Sequence, residues 1–203
     1  LEAEGFGIKK VIDLSHYEEI GKFLEGTGSI IFDHVERIAY GSVSQRLDES
    51  LFRRFCDEFR YEPVVFHSFQ SFEGERLPIY HTNVMMCIAD AYAIICLDSI
   101  DDPSERELVR QKLLQTGKDC IEISEEQLHH FAGNMLQLHN HEGERFLVMS
   151  HSAYESLSQE QISRIEMFNR IISADLRTIE QNGGGSARCM LAEVFLPKRS
   201  PSK

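Results

Sequence analysis

The chain has 203 residues, 42% hydrophobic and 27% charged, the composition of a globular domain large enough to need no disulfide staples. Its 33 acidic and 21 basic residues give a formal charge of -12, which argues against nucleic acid as the main partner, because a phosphate backbone needs a basic face. No apolar run reaches the length of a membrane helix, and the opening Leu1-Glu2-Ala3-Glu4-Gly5 lacks the basic-then-apolar pattern of a signal peptide.

In chain order, Ser29-Ile30-Ile31-Phe32 and Arg37-Ile38-Ala39-Tyr40 read as a hairpin pair. Asp48 to Phe59 reads as a helix with Leu51, Phe52, Phe55 and Phe59 on one face, and Pro63-Val64-Val65-Phe66 as a short buried strand. From Asn83 the order repeats. Val84 to Ile88 and Tyr92 to Leu97 are apolar strands joined at Ala89-Asp90. Asp102-Pro103 opens a helix as N-cap and first residue, Gly117 ends it, and Cys120 to Ile123 is the closing strand.

Ser124 to Gln127 is a capping box that starts a short helix. A third repeat begins at Asn134: Met135 to Leu138 pairs with Phe146 to Met149 across Glu142-Gly143. A second capping box, Ser158 to Gln161, opens a helix striped by Ile162, Ile165 and Phe168. Asp175 to Ile179 reads as its closing strand, and Cys189 to Phe195 as the first strand of a fourth unit. The basic end from Lys198 to Lys203 reads as a disordered tail behind a single domain over residues 1–197.

The unit starts Glu25, His81, Asn134 and Cys189 follow one another at intervals of 53 to 56 residues. Mixed strand and helix repeats of this period suggest small sheets around an axis; the competing arrangement is one mixed sheet with helices on a single face. Five cysteines, odd in number and irregular in spacing, read as free thiols in a reducing cytoplasm.

Three unit starts carry unusual polar residues. They are Glu25-Gly26-Thr27-Gly28-Ser29, Tyr80-His81-Thr82-Asn83 and Gly183-Gly184-Gly185-Ser186-Ala187-Arg188-Cys189. Each has a bland alternative: Cys189 as a small core residue, His81 as a structural hydrogen-bonding group, Glu25 as a turn cap, the triple glycine as a flexible loop. Around an axis, however, the starts converge, and a carboxylate, an imidazole and a thiol meet. A thiolate is a strong nucleophile, a histidine can protonate a leaving amine and then activate water, and a carboxylate can hold a planar guanidinium.

The glycine-rich segment ending in Cys189-Met190 resembles the C-terminal nucleophile motif of the pentein superfamily of guanidine-modifying enzymes: amidinotransferases, arginine and agmatine deiminases, and dimethylarginine hydrolases. Leu24-Glu25-Gly26-Thr27-Gly28-Ser29 resembles their Glu-Gly-Gly segment and His81-Thr82-Asn83 their His-x-Asp segment. The nearest branch by this reading is the citrulline-utilisation hydrolase type of amidinotransferase-related protein. The resemblance implies a five-bladed α/β propeller of ββαβ units, of which this chain lacks an N-terminal stretch. It also implies a cysteine-dependent hydrolase of a guanidino or ureido compound. In it Cys189 is the nucleophile, His81 the acid–base and Glu25 the substrate-orienting carboxylate, with Asn83, Arg188, Gly185 and Ser186 on the substrate. Alternatives within the superfamily are an amidinotransferase with the same Cys/His/Glu set and a non-catalytic binding module.

Asn83 stands where the family often has Asp, which favours a neutral ureido group such as that of citrulline. Arg188 reads equally as a bidentate partner for a substrate carboxylate or as a solvated surface residue. The implied chemistry needs no metal or organic cofactor, and the implied partner is a small molecule; a homodimer is compatible with the sequence. His129, His130, His139 and His141 form the densest histidine cluster, but no Cys-x-x-Cys or His-Glu-x-x-His spacing supports zinc there.

Overall fold

Three times along the chain a short antiparallel strand pair is followed by a helical segment and a third strand that returns parallel to the second. The computed structural model describes residues 1–199. A single helical turn, α1 (Gly26–Ser29), leads into the first unit: β1 (Ile30–Asp33), β2 (Ile38–Ser42), α2 (Glu49–Phe59) and β3 (Glu62–Phe66). A small hairpin, β4 (Phe69–Phe72) with β5 (Glu75–Pro78), separates it from the second unit: β6 (Met86–Ile88), β7 (Tyr92–Ile95), α3 (Pro103–Gln115) and β8 (Asp119–Glu122). After α4 (Glu125–His129) the third unit comprises β9 (Leu136–His139), β10 (Arg145–Ser150), α5 (His151–Ser156), α6 (Gln159–Glu166) and β11 (Arg170–Ala174). The last helix, α7 (Arg177–Gly183), follows.

The registers repeat with the units. Ile31 lies opposite Tyr40 and Tyr40 beside Val64; Cys87 lies opposite Ile94 and Ile94 beside Ile121; Leu147 lies opposite Gln137 and beside Ile171. The first strand of each unit lies against that of the next, β1 on β6 and β6 on β9. The units are thus blades of an α/β propeller whose inner strands face one another, and the single mixed sheet is excluded.

Local chemistry sets the element ends. Asp48 caps α2 by accepting the Leu51 N–H, and Asp102 caps α3 by accepting from Ser104 and Glu105, with Pro103 in the first turn. Both capping boxes, Ser124 with Gln127 and Ser158 with Gln161, are formed, and each cap stabilises by about 1 kcal/mol. All four residues of β7 are buried, and the main core joins Tyr40, Phe66, Met85, Ile94, Ile121 and Leu147 across the three units. A large apolar side chain buried this fully contributes roughly 1.5–3 kcal/mol. A smaller cluster of Ile30, Ala39, Leu47, Phe52 and Cys56 lies under α2. Between the first two units Lys118 Nζ sits 2.9 Å from Asp33 Oδ2, with both side chains at most 3% exposed, and donates to the Asp90 carbonyl at 2.9 Å.

Several expectations need correction. The strand read at Asp175–Ile179 lies earlier, at Arg170–Ala174, where Ile171 and Ile172 pair with Leu147 and Val148; residues 177–183 are helical instead. The segment from Cys189 to Phe195 opens no fourth sheet. It begins with a 3-10 turn at Arg188–Met190, held by Cys189 N–H to Ser186 O and Met190 N–H to Ala187 O, and then runs without ladder partners. The β4–β5 hairpin and α5 were not read from the sequence. Lys198 and Arg199, read as the start of a disordered tail, are bound to the N-terminal segment: Lys198 pairs with Phe6, and Arg199 with Glu2 and the Gly5 carbonyl. Residues 200–203 of that expected tail lie outside the described residues. Among the described residues no helix is long and apolar enough to cross a membrane.

Candidate active site

The convergence of unit starts is made by specific stitches. Thr82, fully buried, donates its hydroxyl to the Ser29 carbonyl at 2.5 Å and accepts the Ser42 N–H at 2.9 Å, so the start of the second unit is tied to the first. That tie sets His81 over Gly28. A Cβ at Gly28 would lie 3.0 Å from His81 Cε1 and Nδ1, so any larger residue there would press the imidazole aside by a few tenths of an ångström. On the other side, Tyr80 Oη donates to the Gly184 carbonyl at 3.1 Å, and the Ser186 hydroxyl donates to Glu180 at 2.6 Å. These two bonds fasten the loop after α7, which carries Cys189.

Glu25, Thr27, Gly28, His81, Asn83, Arg188, Cys189, Met190, Leu191 and Ala192 line one cavity of about 330 Å³. Within it His81 Nε2 lies 2.8 Å from Glu25 Oε2, and Arg46 Nη1 reaches the same carboxylate at 2.9 and 3.2 Å. Burial pushes the Glu25 carboxyl up, but the hydrogen bonds and charges of Arg46 and His81 outweigh burial and hold it below the usual carboxylate range. The exposed Cys189 Sγ receives two side-chain amides, Asn134 Nδ2 at 3.3 Å and Asn83 Nδ2 at 3.6 Å. Asn83 Oδ1 has no partner. The other four cysteines are buried or half-buried in hydrophobic packing, and burial raises the Cys56 and Cys87 thiols to about 12 and Cys120 to about 11.

Of the residues named from sequence, Glu25, His81, Asn83, Arg188 and Cys189 share the cavity. Gly185 lies behind Cys189: a Cβ there would come within 3.0 Å of Cys189 Cβ and 3.2 Å of Sγ. Ser186 is fully buried and engaged with Glu180, so it holds the loop instead of facing a ligand. Arg188 is no solvated surface arginine. Its side chain is 7% exposed, pairs with Glu193 at 3.2 Å and donates to the Leu191 carbonyl at 2.7 Å.

Sequence reasoning missed Asn134 as a site residue, although its place at a unit start was the available signal. It also missed Arg46, which no local pattern marks. A larger open cleft of about 1170 Å³ beside α4, α5 and α7 contains His129, His130 and His151. His139 ends β9 and His141 lies in the following turn, and among the described residues no three His, Cys, Asp or Glu are grouped to hold a metal ion.

The family model for eukaryotic N,N dimethylarginine dimethylhydrolase matches residues 1–196. The chain belongs to that family. Its pentein-superfamily resemblance is thereby borne out. None of the curated proteins matches the chain. Among solved structures, the product-bound N-terminal domain of ArgZ, an arginine dihydrolase from the ornithine-ammonia cycle in cyanobacteria, superposes with a TM-score of 0.65 at 16% identity. The match covers 93% of this chain and 60% of that one. Apo ArgZ gives 0.64 at 16% identity over 82% of this chain and 23% of its own. Agmatine deiminase from C. jejuni gives 0.51 at 15% identity, covering 88% and 58%. At these identities the likeness concerns the fold, a pentein-type propeller. The family chain described here spans less than two thirds of each of these structures.

Proposed function

We propose that the chain is a cysteine-dependent hydrolase that cleaves a C–N bond of a small guanidino or ureido compound through a covalent adduct on Cys189. The observation that carries this reading is one cavity lined by a thiol, an imidazole held by a carboxylate, and a carboxamide, drawn from three separate stretches of chain. An ArgZ N-terminal domain covalently bound to a reaction intermediate is similar in fold, with a TM-score of 0.64 at 16% identity, which supports the same class of chemistry.

Cys189 gives its proton to His81, its Sγ attacks the central planar carbon, the π pair moves onto the attached nitrogen or oxygen, and a tetrahedral intermediate forms. His81 gives a proton to the departing nitrogen, the C–N bond breaks, and ammonia or an amine leaves a thiouronium-type or S-carbamoyl adduct. Water then attacks that carbon while His81 takes its proton. The C–S bond breaks and its electron pair returns to sulfur. Glu25 serves through His81: its partners are the imidazole and Arg46, and the pair fixes the ring for both proton transfers.

The charges favour a neutral planar group. Glu25 is already engaged by Arg46 and His81, and Asn83 contributes a neutral amide in place of a second carboxylate. A ureido group such as that of citrulline therefore meets the site without an unpaired charge. Arg188 is held by Glu193, whereas Arg46 is half-exposed beside Glu25, and its Nε and Nη2 have no partner among the described residues. Arg46 is thus the cation offered to a substrate carboxylate.

The test is a panel of arginine-, methylarginine- and citrulline-like compounds, read by product formation and by the intact mass of Cys189 adducts. The wild type turns over at least one of them, and Cys189→Ala loses roughly 10³-fold or more with an unchanged unfolding midpoint. Turnover retained in Cys189→Ala removes the reading. Transfer to an added amine instead of water identifies an amidinotransferase, and no turnover and no adduct identify a binding module.

A further inference from the structure

We infer that Asn134 is a positioning residue for the nucleophile, acting through the sulfur itself. Its side chain is 2% exposed and sits at the start of the third unit. One amide hydrogen points at Cys189 Sγ at 3.3 Å and the other at the Asn83 carbonyl at 3.1 Å, while Oδ1 accepts the Arg188 N–H at 3.0 Å. The group therefore spans three pieces of the site: the segment that carries His81 and Asn83, the turn before the nucleophile, and the nucleophile.

The orientation of this amide is fixed by its neighbours. Turned over, Oδ1 would face the Asn83 carbonyl oxygen and the sulfur, and the NH₂ would face the Arg188 N–H, so every contact would become repulsive. Two donors and one acceptor on a side chain of this length are available only from asparagine. Aspartate keeps the shape and the acceptor but loses both donors; alanine and serine are too short to reach all three partners. Asn83 Nδ2 lies farther from Sγ, at 3.6 Å, and its own Oδ1 is unpaired, so Asn134 is the better-anchored of the two donors.

The role proposed for Asn134 rests on the reading of Cys189 as the nucleophile, but its test does not need the substrate. The chain carries its own control, because Cys87 and Cys96 are buried and Cys189 is exposed. Alkylation by iodoacetamide at neutral pH, followed residue by residue with mass spectrometry, is compared between the wild type and Asn134→Ala. Cys189 labelling is expected to slow about tenfold, the loss of one hydrogen bond to the attacking sulfur, while Cys87 and Cys96 stay protected. Where a turned-over compound is known, kcat falls with KM within about twofold, a split that simple loosening of the fold would not give.

Should Asn134→Ala open the fold, seen as rising Cys87 and Cys96 labelling, Asn134→Leu removes the donors at similar volume without adding a charge and is read in the same way. Cys189 labelling within twofold of wild type in a folded variant overturns the assignment. Opening of both variants overturns it too, leaving Asn134 purely structural. Slowed labelling with no turnover of any guanidino or ureido compound leaves this role standing and sinks the proposed function instead.

Discussion

The two sides of the cavity are built on opposite principles. On the side of His81, the residues Glu25, His81 and Arg46 are charged or chargeable and partly exposed, with side-chain accessibilities of 39%, 17% and 50%. On the side of Cys189, the groups around the sulfur are the neutral amides of Asn83 and Asn134, both about 2% exposed. Charges near water are screened and cost little to hold; an unpaired charge in the interior costs several kcal/mol, whereas a neutral amide costs less, and least where it is fully paired as in Asn134. The exposed sulfur is thus held by dipoles anchored in the interior, and the half-buried imidazole by a carboxylate that stands near water. What the two sides share is a glycine that makes room for the working group, Gly28 for His81 and Gly185 for Cys189.

That shared feature gives the largest effect. In Gly185→Ala the new methyl would lie 3.0 Å from Cys189 Cβ, and in Gly28→Ala it would lie 3.0 Å from the imidazole. Either group must give way by a few tenths of an ångström, which is expected to lower kcat on the order of tenfold while both variants remain folded. Steady-state kinetics that leave either variant at wild-type kcat would show that the close approach on that side is immaterial.

Arg46→Gln probes the charged side alone. KM for carboxylate-bearing substrates should rise severalfold with kcat within about twofold, and the difference should shrink at 1 M salt, where the screening length is about 3 Å. An equal effect on substrates without a carboxylate would assign Arg46 to Glu25 alone.

The smallest effect lies away from the site. Cys56 and Cys87 are raised from 9.0 to about 12 by burial. The folded state then holds these protons more tightly than the unfolded state. Stability from them is intact below about pH 9, falls as the unfolded thiols ionise, and continues to fall until about pH 12. Unfolding midpoints measured from pH 8 upward should therefore drop, and drop less in Cys87→Ala than in the wild type relative to each protein's value at pH 8. An identical slope in the variant would rule out the buried thiol as a cause.

Legibility from sequence followed the range of the interactions. Caps and helices were readable because Asp48, Asp102, Ser124 and Ser158 act within three residues of themselves. The repeat period brought Glu25, His81 and Cys189 together. Arg46 and Glu180 were invisible, because their partners lie 21 and 6 residues away in irregular chain. The misplaced closing strand of the third unit has a plain cause: Ile171 and Ile172 as well as Leu176 and Ile179 offer apolar pairs, and only the ladder with β10 decides between them. The stretch after Cys189 alternates like a strand, yet Arg188 is captured by Asn134 and Glu193 before a sheet can form.

The sealed ion pair of Lys118 with Asp33 has a bearing on assembly order. Blades of similar shape and length can dock on the wrong neighbour during folding. Here the first blade offers a carboxylate at the end of its inner strand, and only the second answers with an ammonium ahead of its last strand. Any other blade in that place would strand a charge in the interior at a cost of about 3–5 kcal/mol. One lysine and one aspartate thus work as a key between adjacent modules, making neighbour choice part of the covalent sequence.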